Sequence, residues 1–543
     1  MVKPRPAKQK AVQLTGQNQL VFNPQKEMYS PNDYQILAKV EAVGLCFSDL
    51  KLLKQFSEHV RKSEIVSGIS QDVLAEIPSY VPGQKPAVPG HEVVVKVESV
   101  GSKVKDIRPG ERYLVQADYR WVKTKNSNGA FGYNFEGGLQ EYILVDQRVI
   151  ISPEGQSTFI RASEDLSASA IALVEPWACV EQAYAVNERT MLKKDGRMLV
   201  VQDVPCQKKM FDSFVFKFGG SHDITFVSKD QPLPEGEACF DDVIYFGSNP
   251  DRIEKIFPKI ASNGLINIVL CGGKLPQDVV VQIGRVHYGN IRIIGTTGSD
   301  PAQSMKYIPA TGEIRKNNKI NIVGAAGPMG VMHVVRNICQ AIEGTAIFAA
   351  DLDDTRLAAL EKIAEPIAAK NKVTLKCFNP KKNPQNIEFD YSVLMAPVPA
   401  LVCAAVANSA DKAIINIFAG IPASVNAKID LNRYIEKHLY FIGTSGSTIN
   451  DMITVLKKVE SRQLDTNISL GAVCGIESAI EGIKAVENQS ISGKIIVYPS
   501  VENLPLTKLE NLNEKFPKVA KALCNGLWCK ESENILLKGE KNG

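Results

Sequence analysis

The stretch Val323-Gly324-Ala325-Ala326-Gly327-Pro328-Met329-Gly330 decides the fold. It follows an apolar run, Ile320 to Val323, and leads into a helix-patterned segment that ends near Gly344. A second apolar run, Ala346 to Ala350, stops at Asp351. Strand, glycine turn, helix, strand and acid make a βαβ unit with a dinucleotide-binding fingerprint. The glycines are needed because a pyrophosphate must approach the backbone at a helix N-terminus, where a Cβ would obstruct it. Asp351 lies 21 residues beyond Gly330, close to the roughly 20 expected of a carboxylate that binds ribose hydroxyls. Ala325 stands where the first glycine is usual, with Gly324 just before it. Glycine triplets also occur in ordinary strand–helix turns, so the following strand and Asp351 carry the reading. The carboxylate favours NAD over NADP, because a 2′-phosphate beside it is repelled. The expected cofactor-binding residues are Gly324, Gly327, Pro328, Met329, Gly330 and Asp351, with Thr444 at the end of a later strand pattern.

Outward from this unit the chain repeats itself. FDDVIYFG from Phe240 is answered by FDYSVLMA from Phe389, 149 residues later. GLINIVLCGG from Gly264 is answered by AIINIFAGIP from Ala413, and their asparagines, Asn267 and Asn416, are again 149 apart. NIRIIGTTGSD from Asn290 is answered by HLYFIGTSGST from His438, with Gly295 and Gly443 148 apart. Alternating strand and helix patterns from Asp195 onward fit a doubly wound sheet. Two tandem Rossmann-like units are therefore expected, at 195–305 and 316–470, with a linker from Pro301 to Lys319.

The first copy lacks the phosphate turn. After Arg197 to Val201 it reads QDVPCQKKM, with Pro205 and Lys208 in place of glycines. Its second strand, Asp223 to Val227, runs into Ser228 and Lys229 rather than an acid, and there is no length for a third strand before Phe240. Lys208 and Lys229 could serve another anion. Close backbone approach needs glycine, however, so the first copy reads as degenerate and structural.

Composition sets the frame. The 543 residues exceed one domain, and 44% hydrophobic with 22% charged residues is ordinary for a soluble protein. A net charge of +4 is too small to argue for nucleic acid or a membrane surface. Eleven scattered cysteines without a C-x-x-C pair fit a reduced, cytoplasmic setting. The basic N-terminus has no secretory apolar core, and no run approaches the ~20 residues of a membrane span.

Residues 1–160 read as short strands broken by Gly and Pro turns: Tyr34 to Val43, Val93 to Val100, Arg112 to Val115 and Leu139 to Val145. Between them, residues 50–85 look like an insertion. Its first part, Leu50 to Ala75, is helix-like and carries Lys51, Lys54, Arg61 and Lys62. Those cations read either as a solvated helix face or as a lid that meets a phosphorylated or acidic substrate. The chemistry-bearing fragments are GLCFSD from Gly44, PGHE from Pro89 and VEPWAC from Val174. Cys, His and Glu suit a catalytic zinc with an open fourth position. Singly, Cys46 could be a core thiol, His91 a satisfied core histidine and Glu175 a helix-start acid.

Together these fragments resemble the zinc-dependent medium-chain dehydrogenase/reductase family. GLCFSD resembles its G-x-C-x-[ST]-D motif, and GHE its histidine motif. RPGERYLV is similar to its P-G-D-R-V strand, GGLQEYILV to its G-G-x-A-E-Y segment, and VEPWACV to the E-P segment of polyol and threonine dehydrogenases. The resemblance spans most of residues 8–498. It implies an α/β protein: a GroES-like β-rich catalytic domain (1–160 with 471–499), two Rossmann-like units, the first degenerate, and a C-terminal extension (500–543).

The resemblance also implies roles. Cys46, His91 and Glu175 would bind one zinc, with Glu92 an exchanging or supporting ligand. Ser48 would take the substrate proton, and Asp49 would fix the cysteine loop. Lys51 stands where a relay histidine is common, and its ammonium is a poorer shuttle at neutral pH. Cys179, a turn after Glu175, competes weakly as a ligand. No structural zinc is implied, since no cysteine lies between Cys46 and Cys179. The implied activity is NAD-dependent oxidation of a polyol, sugar or related secondary alcohol, free or phosphorylated. A small-molecule partner is expected, with neither nucleic acid nor membrane, and a homo-oligomer is compatible with it. Two alternatives stand beside it: a lyase or epimerase that uses NAD transiently, and a non-catalytic nucleotide-binding descendant. The 316–470 unit is expected to complete the site around Cys46, His91 and Glu175. In the tail, Cys524 and Cys529 give only a weak metal spacing, and a docked helix is the expectation there.

Overall fold

The computed structural model describes residues 7–220, 223–444 and 446–539. The chain divides into two compact units, Met1–Ala178 with Ser447–Gly543, and Cys179–Gly446.

The first unit is built on one large sheet. Its strands run in the order Phe159–Arg161, Arg112–Val115, Glu92–Val100, Gln35–Gly44, Lys494–Tyr498, Leu470–Gly475 and Thr507–Lys508, and Tyr142–Asp146 also pairs with Gln35–Gly44. The C-terminal strands Leu470–Gly475 and Lys494–Tyr498 thus lie in the same sheet as the N-terminal strands. Val40, Val43, Val93, Val95 and Val497 lie in its core and are fully buried. β-branched side chains on a pleated surface explain why these runs are strands.

The insertion differs from its helical expectation. It has a short helix, Phe47–Gln55, two 3₁₀ turns, Phe56–Glu58 and Val60–Lys62, a strand, Ile65–Ser67, and a helix, Gln71–Ala75. Ile65–Ser67 pairs with Asp118–Thr124. Two features break the helical rhythm. Phe56 has a positive φ of 45°. Gly68, with φ +93°, abuts Trp121, where a Cβ would lie 2.0 Å from the carbonyl oxygen. Lys62 is not on a solvated face either. It is fully buried and donates to the carbonyls of Val81 and Lys85, tying the two ends of the insertion together. Burial pushes its ammonium down to about 7.

The second unit holds two parallel sheets. The first runs Asp223–Ser228, Arg197–Gln202, Phe240–Phe246, Ile260–Val269, Arg292–Thr296. The second runs Thr374–Phe378, Ala346–Ala350, Lys319–Val323, Phe389–Leu394, Ser409–Ile417, Tyr440–Ile442. Parallel strands are covered on both faces, so they read as the near-continuous apolar runs seen in the sequence. The first copy lacks a strand equivalent to Thr374–Phe378. It also lacks the long helix Asp354–Asn371, replaced by a connection between Ser228 and Phe240.

The two copies share one core, in which Val279, Ile283 and Ile293 pack with Ile417, Ile429 and Phe441. Their junction is reciprocal. Val279–Val281 pairs antiparallel with Ala427–Ile429, as Val279 with Ile429, Val280 with Lys428 and Val281 with Ala427. Shifted by 148 residues, the first strand becomes the second, so this pairing maps onto itself about Val280 and Lys428. A Cβ on Gly295 would lie 2.7 Å from Ile435 Cγ1, and a Cβ on Gly443 would lie 2.8 Å from His287 Cα. Gly443 and Ile435 each lie 148 residues beyond Gly295 and His287. Contacts of i with j answered by j with i define an isologous, two-fold interface. Here that interface lies within one chain.

Candidate active site

The metal-type residues converge in the first unit. Cys46 precedes the helix Phe47–Gln55 as its N-cap, with extended backbone. Asp49 reaches back, and its Oδ2 accepts from the Cys46 amide at 3.0 Å. Asp49 Oδ1 accepts from the Gly90 amide at 3.3 Å and lies 3.2 Å from His91 Nδ1. One buried carboxylate therefore holds both the cysteine loop and the histidine turn. With Nδ1 directed at Asp49, Nε2 is left as the acceptor, the arrangement metal-binding imidazoles use.

Cys46, His91 and Glu92 each offer a ligand atom, all within 4.8 Å of one another, the one such group of three among the described residues. Glu92 is fully buried at the start of its strand. Its Oε1 accepts from Lys494 Nζ at 2.5 Å, and its Oε2 is buried without a hydrogen-bond partner. Gly44 makes room for that oxygen, since a Cβ there would lie 2.1 Å from it. An orphaned carboxylate oxygen beside a thiol and an imidazole fits a bound cation. Burial opposes charge on His91, yet Tyr133, Asp49 and Cys46 together raise it well above the usual imidazole range. The negative surroundings that favour that proton would favour a metal ion in its place, which His91 can bind only as the neutral imidazole.

Glu175, in the helix Val174–Ala185, is not among the three. Its carboxyl senses the same cluster. Burial pushes it up to about 7, Glu92 acts in the same direction, and His91 and Lys494 oppose them. Ser48 is half-buried in the helix Phe47–Gln55, and Lys51 on the same helix is exposed. Cys179 is half-buried and outside the metal group.

Sequence reasoning missed three residues here. Lys494 is buried, and it donates to the Leu45 carbonyl at 2.7 Å as well as to Glu92. It supplies one positive charge beside the carboxylates, and a lysine inside the apolar run KIIVY was the signal. Tyr133 stacks its ring 5.8 Å from His91 and 5.1 Å from His59. The Arg61 guanidinium lies 5.6 Å over the same ring. The insertion thus brings His59 and Arg61 to the residue that packs against the candidate ligand. Burial pushes the His59 imidazole down to about 4, with Arg61 and Lys51 adding to the effect.

The nucleotide fingerprint lies in the second unit. Lys319–Val323 leads through the turn into the helix Pro328–Cys339, whose N-cap is Gly327 and whose N-terminus no side chain caps. Gly324 has φ +83°. A Cβ at Gly330 would meet Gly324 O at 2.3 Å and Ala325 O at 2.6 Å, so this glycine serves strand–helix packing. A Cβ at Gly327 would meet nothing of the chain nearer than 3.7 Å, which leaves open space on that side of the helix N-terminus. Asp351 Oδ2 accepts from the Ala326 amide at 3.0 Å, and its Oδ1 from Asp353 at 3.1 Å. The Thr444 hydroxyl is buried without a partner.

In the first copy the corresponding turn is filled. Asp203 Oδ2 accepts from Tyr245 at 2.7 Å, and Gln202 donates to Cys206 Sγ at 3.0 Å.

Comparison with known proteins agrees with this architecture. Residues 32–154 match the alcohol dehydrogenase GroES-like domain. Among solved structures, the 2R,3R-butanediol dehydrogenase of Bacillus subtilis superposes with a TM-score of 0.53 over 91% of this chain and 100% of its own, at 15% identity. Among curated proteins, an uncharacterised protein of Escherichia coli K12 is 26% identical over 245 residues, 41% of this chain. The mannitol-1-phosphate 5-dehydrogenase of Aliivibrio fischeri is 25% identical over 246 residues. The chain spans 57% of the length of each of these two relatives. The expected fold, a GroES-like domain with two Rossmann-like units, is the one observed.

Proposed function

We propose that this chain is a zinc- and NAD-dependent oxidoreductase that moves hydride between NAD and a secondary alcohol of a phosphorylated polyol or sugar. The observation that carries the reading is the convergence of Cys46, His91 and Glu92 around a buried, unpartnered carboxylate oxygen. Cys46, His91 and Glu175 would hold the metal, and Glu92 would exchange with them. When bound, Zn²⁺ supplies Lewis-acid chemistry that lowers the pKa of an alcohol. Lys494 and Asp49 are positioning residues: the lysine balances the carboxylates and the aspartate orients Cys46 and His91. Ser48 accepts the proton of the substrate hydroxyl and passes it outward. The uncapped N-terminus of the helix Pro328–Cys339 receives the pyrophosphate, and Asp351 receives the ribose hydroxyls and disfavours a 2′-phosphate.

Arg61 supports the phosphorylated substrate class. It lies over Tyr133, which packs near His91, and also pairs with Asp118 at 3.8 Å. A guanidinium there suits the bidentate recognition of a phosphate. The likeness to a mannitol-1-phosphate 5-dehydrogenase supports the same class.

The test is NADH formation by the zinc-loaded chain against matched free and phosphorylated polyols, with metal analysis alongside. One zinc per chain is expected, lost in Cys46→Ala. Arg61→Ala should cut kcat/KM for the phosphorylated member about tenfold to a hundredfold, the value of a charge-assisted hydrogen bond. The free member should be left nearly unchanged. Absence of stoichiometric metal sinks the metal assignment, and equal losses on both members sink the phosphate assignment.

A further inference from the structure

The C-terminal extension carries a feature that this reading does not use. Cys524 and Cys529 flank a two-residue turn, Asn525-Gly526, with φ of 53° and 80°. Positive φ at both positions is the mark of the tight hairpin turn that asparagine and glycine favour. The hairpin closes through Cys524 N to Leu527 O at 2.9 Å and Leu527 N to Cys524 O at 3.0 Å. Cys529 lies two residues beyond Leu527, diagonal to Cys524 on the same face of the hairpin. The two thiols hydrogen-bond each other. Cys529 Sγ also donates to the Ala522 carbonyl at 3.2 Å.

The two sulfurs have different surroundings. Cys529 is the N-cap of the helix Lys530–Lys538, and its Sγ accepts from the backbone of Ser532. Burial opposes its ionisation, but the Ser532 amide and the Cys524 thiol outweigh burial and lower the thiol below its ordinary range. Cys524 is exposed, and its bond to Cys529 pushes it up to about 11. A thiol whose ionisation is favoured beside an accessible thiol is the arrangement that thiol–disulfide exchange uses.

We propose that Cys524 and Cys529 are a reactive dithiol that closes to a reversible intrachain disulfide by exchange with small disulfides. In the first step the Cys529 thiolate attacks one sulfur of the small disulfide. A mixed disulfide forms and a small thiolate leaves. In the second step Cys524, losing its proton to solvent, attacks the Cys529 sulfur. The Cys524–Cys529 bond forms and the second small thiolate leaves. The protein loses two electrons, and the small disulfide gains them as two thiols.

The position gives the switch something to act on. Glu533, one turn into the same helix, accepts from the amides of Ala168 and Ser169 at 2.5 and 2.9 Å, and from Tyr498 at 2.8 Å. Trp528, fully buried between the cysteines in sequence, donates to the same tyrosine at 3.0 Å. The dithiol therefore sits at the root of the helix that caps Ala168–Ala172, the segment just before Glu175.

The test incubates the full chain with glutathione disulfide, then alkylates free thiols and maps peptides by mass spectrometry. The expected product is an internal Cys524–Cys529 disulfide that dithiothreitol reverses. In Cys524→Ser, which keeps the folded hairpin turn, glutathione should accumulate on Cys529. If Cys524 and Cys529 remain free thiols while other cysteines react, the proposal is overturned. Separate, stable glutathione adducts on both residues of the unsubstituted chain overturn it equally. None of these readouts depends on the redox reaction proposed above.

Discussion

The two Rossmann-like copies share five strands in the same order, to which the second adds Thr374–Phe378 at its edge, and carry opposite equipment. In the second, the turn after the first strand is a glycine turn with open space at Gly327, and the next strand ends at Asp351. In the first, the turn is closed by its own side chains, Asp203 with Tyr245 and Gln202 with Cys206. The helices after the turns differ as well. Pro328–Cys339 buries His333, Arg336 and Asn337 in a polar network. Arg336 bonds to Glu181 and Glu313, and His333 Nδ1 meets the Tyr184 hydroxyl at 2.7 Å. Lys208–Phe218 buries only Phe211, Phe214 and Phe218. What the first copy keeps is the interface: Val279–Val281, Gly284 and Gly295 face the second copy as closely as Ala427–Ile429 and Gly443 face the first. A copy that need not bind a dinucleotide can lose its glycines without losing its sheet, because apolar strands and the shared core stabilise the sheet independently of the turn.

The comparison is sharpest at the turns. If the proposed cofactor site holds, Gly327→Ala should weaken NADH binding about tenfold or more, the cost of a Cβ where a pyrophosphate would come closest, while leaving Tm unchanged. Lys208→Ala with Lys229→Ala in the first copy should leave the same Kd within about twofold. Fluorescence titration with parallel melting curves reads both. Equal losses from the two sets would make the first copy a working anion site. At the interface, a Cβ on Gly284 would lie 1.9 Å from Pro422 O, which is rigid backbone. Gly284→Ala should therefore destabilise the second unit by about 2 kcal/mol, within the ordinary range of overpacking, as urea unfolding would report. An unchanged midpoint would mean that the copies do not depend on their junction.

A further contrast between the copies concerns pH. Burial, with Arg336 adding to it, pushes His333 down to about 3, so the folded chain holds it neutral. The unfolded chain binds that proton below about 6.5, so the contribution to stability is complete above 6.5 and is lost as pH falls towards 3. His333→Gln should flatten the stability of the second unit over that window. The Lys208–Phe218 helix of the first copy buries no histidine, so its contribution should not titrate there. A wild-type slope that persists in the variant refutes the assignment.

Much of the architecture was legible because it depends on local pattern. The parallel strands read as apolar runs, and the repeat offsets of 148 and 149 hold because both copies keep the strands of one core. The missing strand and missing acid of the first copy could be read from the length and residues between Val227 and Phe240. The candidate metal residues were legible as motifs, with Asp49 beside Cys46, but the distant support Lys494 was not. Lys494 lies 402 residues from the Glu92 it bonds, and no local rule joins them. The insertion misled because apolar spacing cannot report Gly68 pressed against Trp121, nor a lysine buried by carbonyls.

By itself, the sequence determined which residue types were available: a glycine turn with an acid 21 residues on, a cysteine, a histidine and two glutamates in metal-type motifs, and a copy without glycines. These are covalent facts, and the chemistry of each side chain goes with it. Only the tertiary structure decided that Asp49 holds Cys46 and His91 together, that Lys494 balances Glu92, and that Gly295 and Gly443 answer each other across the two copies. Such relations are distances between residues far apart in the chain. They are fixed by packing and by the need to pair buried charge, neither of which a one-dimensional pattern contains.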